Sequence, residues 1–271
     1  MHENKSPLVD NLHDRRFTTL LSLQNPHTRS HTGLYLIEGI RHVARAVEHG
    51  ARIQSVFTDP SRLTNPFGQK LARRLRKSGL PGVRLSPLLY RDLTLAADPQ
   101  GIGAVVQQQW ATLSSLKPAR NGLWLGVESI ESPGNLGTII RTAEATGVNG
   151  IFMLGSDLDP HDPACVRASM GSLFSQMLMR CTHQEFREWA RSGGVVTVAS
   201  SPTGLVDYKS LRYRWPTVLL VGNEKRGLSE QSLEISDYLV RIPMCGRCDS
   251  INVAVATGVL LFEMEYQRRN N

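Results

Sequence analysis

Short apolar runs alternate with amphipathic segments through the second half of the chain. The runs are, in order, Leu123–Val127, Gly150–Leu154, Val195–Ala199, Thr217–Val221 and Tyr238–Ile242. Helical spacing of apolar residues separates most of these runs, and it is found over 135–146, about 164–174, 183–192, 229–236 and, at the end, Ile251–Tyr266. Near-continuous apolar strands that alternate with helices are typical of a parallel sheet covered on both faces. The pattern predicts an α/β fold, whose ligands bind at the carboxyl ends of the strands.

The first 110 residues show a similar but more polar alternation. Strands are predicted over 33–39, 53–59, 83–85 and 103–109, and helices over 15–23, from Ile40 to a terminal glycine at Gly50, and over 70–79. The segment around Asn25-Pro26 is predicted to be a loop. Residues 111–121 lose the periodicity and contain a proline and paired serines, as linkers do. We expect a small α/β domain over 1–110, a linker over 111–121 and a larger domain over 122–271.

Charge is distributed unevenly between these parts. The 271 residues carry a formal net charge of +7, and residues 1–110 contain 15 Lys and Arg against 8 Asp and Glu. This asymmetry indicates either a polyanion-binding domain joined to a near-neutral one, or a basic surface without a partner. No apolar run approaches the roughly 20 residues that span a bilayer, and the N-terminus has no apolar signal region. Four cysteines are too few for a disulfide scaffold. We expect an intracellular, cytoplasmic protein.

Polar residues follow three of the predicted strands. After the first, Pro133-Gly134-Asn135 is a turn in which Asn135 is a candidate N-cap, and the helix N-terminus behind it is either an anion site or simply a turn. Arg141, in the second turn of that helix, is either a ligand for carboxylate or phosphate or a surface residue. After the fourth, Gly222-Asn223-Glu224 occupies the expected ligand position, where Glu224 accepts from a ligand hydroxyl or holds Arg141. Ser229, a few residues further on, is predicted to be an N-cap.

The segment after the fifth strand combines a loop with the start of the last helix. Ser250 is either an N-cap or a functional hydroxyl, and Asn252 lies among residues predicted to be buried. The last helix is expected to bury Val253, Ala256, Val259, Leu260 and Met264. Cys245 and Cys248 form a C-x-x-C pair, but a structural zinc site needs four ligands, and the pair lacks a thioredoxin-like context. We therefore expect no metal. The sequence also lacks the P-loop and the G-x-G-x-x-G fingerprint.

Taken together, these segments resemble the three motifs of the SpoU/TrmH family of RNA ribose 2′-O-methyltransferases, within the SPOUT superfamily. The matches are Pro133–Gly147, Val221–Ser229 and Ile242–Ala256, with a shorter one at Arg167–Phe174. The resemblance implies a C-terminal trefoil knot, S-adenosylmethionine as cofactor, a homodimer formed through the knot region, and RNA as partner. Residues 34–57 are similar to the ribosomal-protein-like substrate-binding domain of many members, which favours ribosomal RNA.

The resemblance also assigns residues. By position in the motifs, the polar catalytic set is Asn135, Arg141, Glu224, Ser250 and Asn252. The cofactor-binding set is Ala199, Ser200, Gly222, Asn223, Ile242, Met244 and Ile251. Three positions depart from the family pattern: Lys225 replaces a glycine and adds charge suited to RNA phosphate, Ile251 replaces a leucine, and Glu128 replaces an aspartate.

We therefore expect an enzyme that 2′-O-methylates a ribose in structured RNA, most readily 23S ribosomal RNA. One alternative is a transfer-RNA 2′-O-methyltransferase, and another is a non-catalytic RNA-binding assembly protein. A base-modifying methyltransferase is disfavoured by the Asn135 and Arg141 pair. The sequence leaves open whether the modification is housekeeping or confers antibiotic resistance.

Overall fold

The computed structural model describes residues 8–155 and 158–270, which divide into two compact units. The first unit consists of the chain up to residue 108 together with 161–174, and the second consists of 109–160 and 175 onwards. Residues 161–174, which our sequence analysis assigned to the second domain, thus pack with the first unit.

The N-terminal part of the chain forms a five-stranded sheet. Its strands are β1 (Leu8–Val9), β2 (Leu34–Glu38), β3 (Ile53–Thr58), β4 (Gly82–Leu85) and β5 (Ile102–Gln107). The order is β1-β4-β3-β5-β2, and β5 runs antiparallel to both of its neighbours. The helices are α1 (Arg15–Ser22), α2 (Pro26–Thr32), α3 (Ile40–Glu48), α4 (Pro66–Lys77) and α5 (Pro87–Leu93). The core joins Phe17 and Leu20 of α1 to Phe57, Leu85 and Tyr90.

Most of the predicted elements of this part are present, and two helices were missed. Helix α2 replaces the predicted loop at Asn25-Pro26, so that prediction was wrong. Both α2 and α5 begin at a proline that follows a side-chain cap, Asn25 and Ser86 respectively. A cap followed by proline at the first helical position is a recognised start signal, so both helices were predictable. Gly50 has a left-handed φ of 66°, as its predicted position at the end of α3 requires.

The rest of the chain forms a second, all-parallel sheet. Its strands are β6 (Leu123–Glu128), β7 (Ile151–Leu154), β8 (Leu178–Cys181), β9 (Val196–Ser200), β10 (Val206–Asp207), β11 (Thr217–Val221) and β12 (Tyr238–Arg241), in the order β10-β12-β9-β11-β6-β7-β8. The helices are α6 (Pro133–Ala145), α7 (Pro163–Ala168), α8 (His183–Ser192), α9 (Glu230–Glu234) and α10 (Val253–Asn270). The parallel sheet and all five apolar runs are confirmed. Strand β8, which is four residues long and interrupted by Arg180, was not predicted.

An aromatic cluster covers one face of the second sheet. Trp124 and Phe152, from adjacent strands, meet Phe186 and Trp189 of α8 with ring centroids 4.6 to 5.7 Å apart.

Helix α10 packs against α6. The buried stripe of α10 is Ala254, Thr257, Leu260, Leu261 and Met264, so the predicted stripe was partly wrong: Val253, Ala256 and Val259 are half-buried. No helix in the described part of the chain is long and apolar enough to cross a membrane.

Helix α7 is fixed to the first unit by polar and aromatic contacts. The guanidinium of Arg29 is fully buried, donates to the carbonyls of Leu23 and Gln24 at 3.0 and 2.7 Å, and lies 3.3 Å from the carboxylate of Asp162. Asp162 also caps α7 through the Ala164 N–H. The ring of His161 lies 4.5 Å from that of Tyr35. A buried guanidinium needs such a complete set of acceptors, which ties residues 161–174 to α2 and β2.

Candidate active site

Four neighbouring parallel strands, β12, β9, β11 and β6, end at the same edge of the second sheet. Ser200 pairs with Val240, Ala199 with Leu220, and Val221 with Val127. The predicted residues Ala199, Ser200, Gly222, Asn223 and Ile242 therefore lie at or just beyond adjacent strand ends. This edge is where parallel α/β sheets bind their ligands.

The carboxylate of Glu224 joins two segments of this edge. It accepts from the backbone N–H of Glu131 at 2.9 Å and of Ser132 at 3.2 Å, and from Nδ2 of Asn135 at 2.9 Å. Burial disfavours ionisation of Glu224, but the Asn135 amide and these backbone donors outweigh it and lower its pKa. Glu224 thus places a negative charge at the N-terminus of α6, where the helix dipole favours it.

This arrangement corrects two expectations about α6. The N-cap is Ser132, whose Oγ accepts from the Asn135 N–H at 3.4 Å, so the prediction that Asn135 is the cap was wrong. A serine followed by proline at the first helical position was the available signal. The backbone donors proposed to receive an anion are in part bound by the Glu224 carboxylate, so the protein supplies its own anion there.

Asn135 extends the network to the last helix. Its Oδ1 accepts from Nδ2 of Asn252 at 3.1 Å, while Oδ1 of Asn252 accepts from the N–H groups of Ala254 and Val255 and caps α10. Asn252 is exposed, contrary to the expectation that its surroundings are buried. Glu224, Asn135 and Asn252 therefore form one chain of hydrogen bonds between the three predicted motifs.

Arg141 and Ser250 lie outside this network. Both residues are exposed, and neither side chain forms a hydrogen bond or ion pair with another described residue. Glu224 therefore does not hold Arg141, although α6 carries both Arg141 and the Asn135 that Glu224 binds. An exposed guanidinium without a partner in the described part of the chain remains available to a phosphate or a reacting oxygen.

The turn after β11 is built around Asn223 and Gly222. Asn223 is buried, its Oδ1 accepts from the N–H groups of Lys225 and Arg226, and its Nδ2 donates to the carbonyl of Ser129 and to Glu131. A Cβ on Gly222 would lie 2.5 Å from the backbone of Gly227. Glycine is thus required at 222 by the turn itself rather than by the approach of a ligand.

Two acidic residues near this turn, Glu131 and Glu128, are not part of the predicted catalytic set but help to hold the turn and its surroundings. Glu131 pairs with Lys225 at 2.9 Å, an exposed contact that lowers the pKa of Glu131. Glu128 is buried; its carboxylate accepts from Ser229 N–H at 3.1 Å and Ser232 Oγ at 2.8 Å and lies 2.9 Å from Nε2 of His183. Burial opposes its ionisation, but the serine donors outweigh burial and lower the pKa of Glu128. The predicted N-cap role of Ser229 is confirmed.

The segment 242–251 offers unpaired backbone to a ligand. Among the residues that the structure describes, none of these ten takes part in a backbone–backbone hydrogen bond. Ile242 and Met244 are half-buried, and Ile251 is 37% exposed. Free main-chain donors and acceptors beside apolar side chains suit a ligand that has both an aromatic ring and a polar tail.

Cys245 and Cys248 in this segment are exposed free thiols, and the described residues contain no cluster of three metal-ligating side chains.

Comparisons with known proteins match both parts of the chain. Residues 122–262 match the SpoU rRNA Methylase family, and residues 15–104 match the MRM3-like substrate binding domain. A 23S rRNA (uridine(2479)-2′-O)-methyltransferase of Streptomyces viridochromogenes is 33% identical over 94% of this chain and 89% of its own length. The tRNA (guanosine(18)-2′-O)-methyltransferase of Escherichia coli K12 is 29% identical over 53% of this chain and 63% of its own length.

A solved structure agrees with the fold over nearly the whole length. The crystal structure of an AdoMet-bound rRNA methyltransferase from Sinorhizobium meliloti superposes with a TM-score of 0.87 at 32% identity, covering 96% of this chain and 97% of that one.

Replacing Glu224 by Gln tests the hydrogen-bond chain. We expect Glu224→Gln to lower the free energy of unfolding by about 1 kcal/mol at pH 7, less than the roughly 1.5–3 kcal/mol of hydrogen bonds to a buried charged group, because Glu224 is only partly buried and solvent screens its charge. The pKa of Glu224 is lowered in the folded state, so its contribution is present above the ordinary glutamate value of 4.5 and is lost as pH falls through the lower folded value. Denaturant titrations of both proteins from pH 7 down to acid should therefore converge. Glu234→Gln, at an exposed position of α9, is the matched control; a constant difference across pH would contradict the role of the charge.

Proposed function

The chain belongs to the SpoU rRNA methylase family, and we propose that its chemistry takes place at the strand edge where Glu224, Asn135 and Asn252 are joined. The protein is an RNA ribose 2′-O-methyltransferase that uses S-adenosylmethionine. The coverage of the ribosomal RNA relative, 94% of this chain against 53% for the transfer-RNA relative, favours 23S ribosomal RNA as the substrate. The observation that carries this proposal is the match of the N-terminal residues 15–104 to a substrate-binding domain.

The residues at the strand edge fit the cofactor. We assign its binding to the backbone of Gly222 and of residues 242–251, with Ile242, Met244 and Ile251 as apolar contacts and Ala199 and Ser200 at the next strand end. Asn223 acts indirectly, by shaping the turn, because both of its side-chain polar atoms are bound within the chain. When bound, S-adenosylmethionine supplies a methyl group on a positively charged sulfur. The trefoil knot that the resemblance implies would run through this segment.

Arg141 is the residue we assign to the substrate side. The ribose 2′-OH must be aligned with the methyl group and must lose its proton as the new bond forms. An arginine remains protonated in proteins, so Arg141 serves as an electrostatic group that orients the phosphate and stabilises charge on the 2′-oxygen, not as the base. The network of Asn135, Glu224 and Asn252 fixes the N-terminal turn of the helix that carries it. The exposed Ser250 side chain has no partner in the described part of the chain, and we assign it to contact with the ligands.

The N-terminal domain over 1–110 is proposed to hold structured RNA. Helix α4 carries Lys70, Arg73, Arg74, Arg76 and Lys77, a dense basic surface of the kind that binds RNA phosphates. We infer a cytoplasmic location because the proposed substrate is ribosomal RNA and the four cysteines are free thiols.

The decisive experiment is transfer of label from S-adenosylmethionine to unmodified RNA. Ribosomal RNA and transfer RNA from cells lacking this protein are incubated separately with it, then digested to nucleosides. We expect label in one 2′-O-methylnucleoside of 23S ribosomal RNA. Label in transfer RNA only would overturn the substrate, label in a base would overturn the ribose chemistry, and cofactor binding without transfer to any RNA would favour the assembly-protein alternative.

Replacing Arg141 by Ala tests its role. We expect Arg141→Ala to lower kcat by about 100-fold or more, as the removal of one electrostatic group from a reaction centre does, with the Kd for S-adenosylmethionine unchanged. Arg187→Ala, at an exposed position of α8, is the control and should retain full activity. Label transfer measures kcat and calorimetry measures cofactor binding; an Arg141→Ala enzyme as active as the control would remove Arg141 from the mechanism.

A homodimer is supported by an apolar surface on α10. Val255, Phe262 and Tyr266 are 55%, 56% and 60% exposed and follow helical spacing along one side of the helix, opposite the side that packs on α6. Exposed apolar surfaces of this kind mark interaction sites. We propose that a second copy of the chain covers it.

Sedimentation velocity tests this interface. The protein should sediment as a dimer, and Phe262→Glu should convert it to a monomer because a carboxylate cannot be buried there without a partner. Leu205→Glu is the control, since Leu205 is 89% exposed and is not part of α10, and it should leave the dimer intact. A dimer that survives Phe262→Glu would locate the interface elsewhere.

A further inference from the structure

The first unit contains a cavity whose lining residues all belong to that unit. Its volume is about 290 Å³, close to the lower end for small-ligand pockets. It lies between the junction of β2 with α3, the loop from α5 to β5, and α7, all of which belong to this unit. Nothing in the methyl-transfer chemistry described above uses it.

The cavity combines apolar walls with two unsatisfied polar atoms. Phe57, Leu93, Val166 and Met170 contribute to the walls. His42 is only 8% exposed and its Nε2 has no hydrogen-bond partner among the described residues. Oε2 of Glu38 accepts from Thr94 Oγ1, and its buried Oε1 has no hydrogen-bond partner in the described chain. Buried polar atoms in native proteins are nearly always paired, so these two atoms can form hydrogen bonds with a polar ligand in the cavity.

Exposed arginines lie at the rim of this cavity. Arg41 and Arg167 are both exposed lining residues, and Nη1 of Arg167 donates to the Leu95 carbonyl at 2.6 Å, which holds its guanidinium in place. One acidic side chain, Asp98, is also at the rim. The combination is an apolar slot with hydrogen-bonding atoms inside and guanidinium groups outside. A nucleotide has the complementary form: a flat ring with a hydrogen-bonding edge, attached to a phosphate.

We propose that this cavity receives one unpaired nucleobase of the RNA substrate, with Glu38 and His42 reading its edge and Arg41 and Arg167 contacting the adjoining phosphates. The proposal rests on the proposed function only in taking RNA as the source of the base. Sequence-selective RNA recognition commonly uses unstacked bases of loops and bulges, held between apolar or aromatic side chains. Burial raises the pKa of Glu38 and lowers that of His42, so both groups shift toward uncharged forms that can donate and accept without an ionic partner.

Neighbouring alanines provide a matched pair of variants. Ala96 lines the cavity, whereas Ala97 is exposed and does not. Ala96→Leu should occupy the space of the base and raise the Kd for an unmodified 23S ribosomal RNA transcript about tenfold, the effect of losing one stacked base. Ala97→Leu should leave that Kd unchanged. Filter binding measures RNA affinity without turnover, and the Kd for S-adenosylmethionine and the Tm of both variants should match the parent protein.

Methyl-labelled methionine gives a direct reading of occupancy. Met170 lines the cavity, so its methyl resonance, assigned with Met170→Leu, should shift when the full-length protein is titrated with the transcript, and should not shift in Ala96→Leu. Nucleoside 5′-monophosphates are titrated in parallel. A shift with a monophosphate but not with RNA would overturn the proposal in favour of a free nucleotide ligand. No shift with either, or equal RNA affinity for the two leucine variants, would also overturn it. Because the parent protein is assayed for label transfer in the same preparations, failure of the cavity proposal is distinguishable from failure of the methyltransferase assignment.

Discussion

The ionised carboxylate of Glu224 is the constraint on which the active-site edge depends. It fixes the end of β11 to the start of α6 through two backbone donors and the Asn135 amide, and Asn135 then binds the cap of α10. These residues are separated by about 90 to 117 positions in sequence, so no local propensity brings them together. Because the Glu224 carboxylate and the Asn135 amide bind groups of distant segments, they hold the three motif segments together at this edge. One partly buried carboxylate can accept hydrogen bonds from several donors. Its negative charge also stabilises the N-terminus of α6 through the helix dipole.

That joint ordering separates fixed groups from free ones. The side chains of Asn135, Glu224 and Asn252 are joined by hydrogen bonds. The side chain of Asn223 forms its hydrogen bonds around the turn after β11. Arg141, Ser250 and the backbone of 242–251 are left unbound by the described chain. The predicted site residues thus fall into two groups. The first group positions the surrounding structure, and the second is available to bind the cofactor and the RNA. Preorganised supports with free reacting groups are what positional catalysis requires.

The sequence was sufficient for the parts of the structure that depend on local pattern. The five strands at the apolar runs and the parallel sheet follow from the periodicity of apolar residues. The cap at Ser229 follows from the capacity of a serine hydroxyl to accept a hydrogen bond. It was insufficient where partners are distant. The pairing of Glu224 with backbone N–H groups, the burial of Glu128 and the exposure of Asn252 are decided by which segments meet at the sheet edge. Ser132 was a different case, because its serine-proline signal was present and the nearby Asn135 was preferred.

The placement of residues 161–174 shows why domain limits are hard to read from composition. This segment lies between two strands of the second sheet, β7 and β8, yet packs with the first unit through Arg29, Tyr35 and the α7 contacts. The chain therefore passes between the units three times rather than once. A protein cut at residue 110 would leave the buried Arg29 guanidinium without its Asp162 carboxylate and would remove one wall of the cavity that holds Glu38 and His42. Because an unpaired buried charge is strongly destabilising, the first unit is complete only when the methyltransferase sequence supplies this segment.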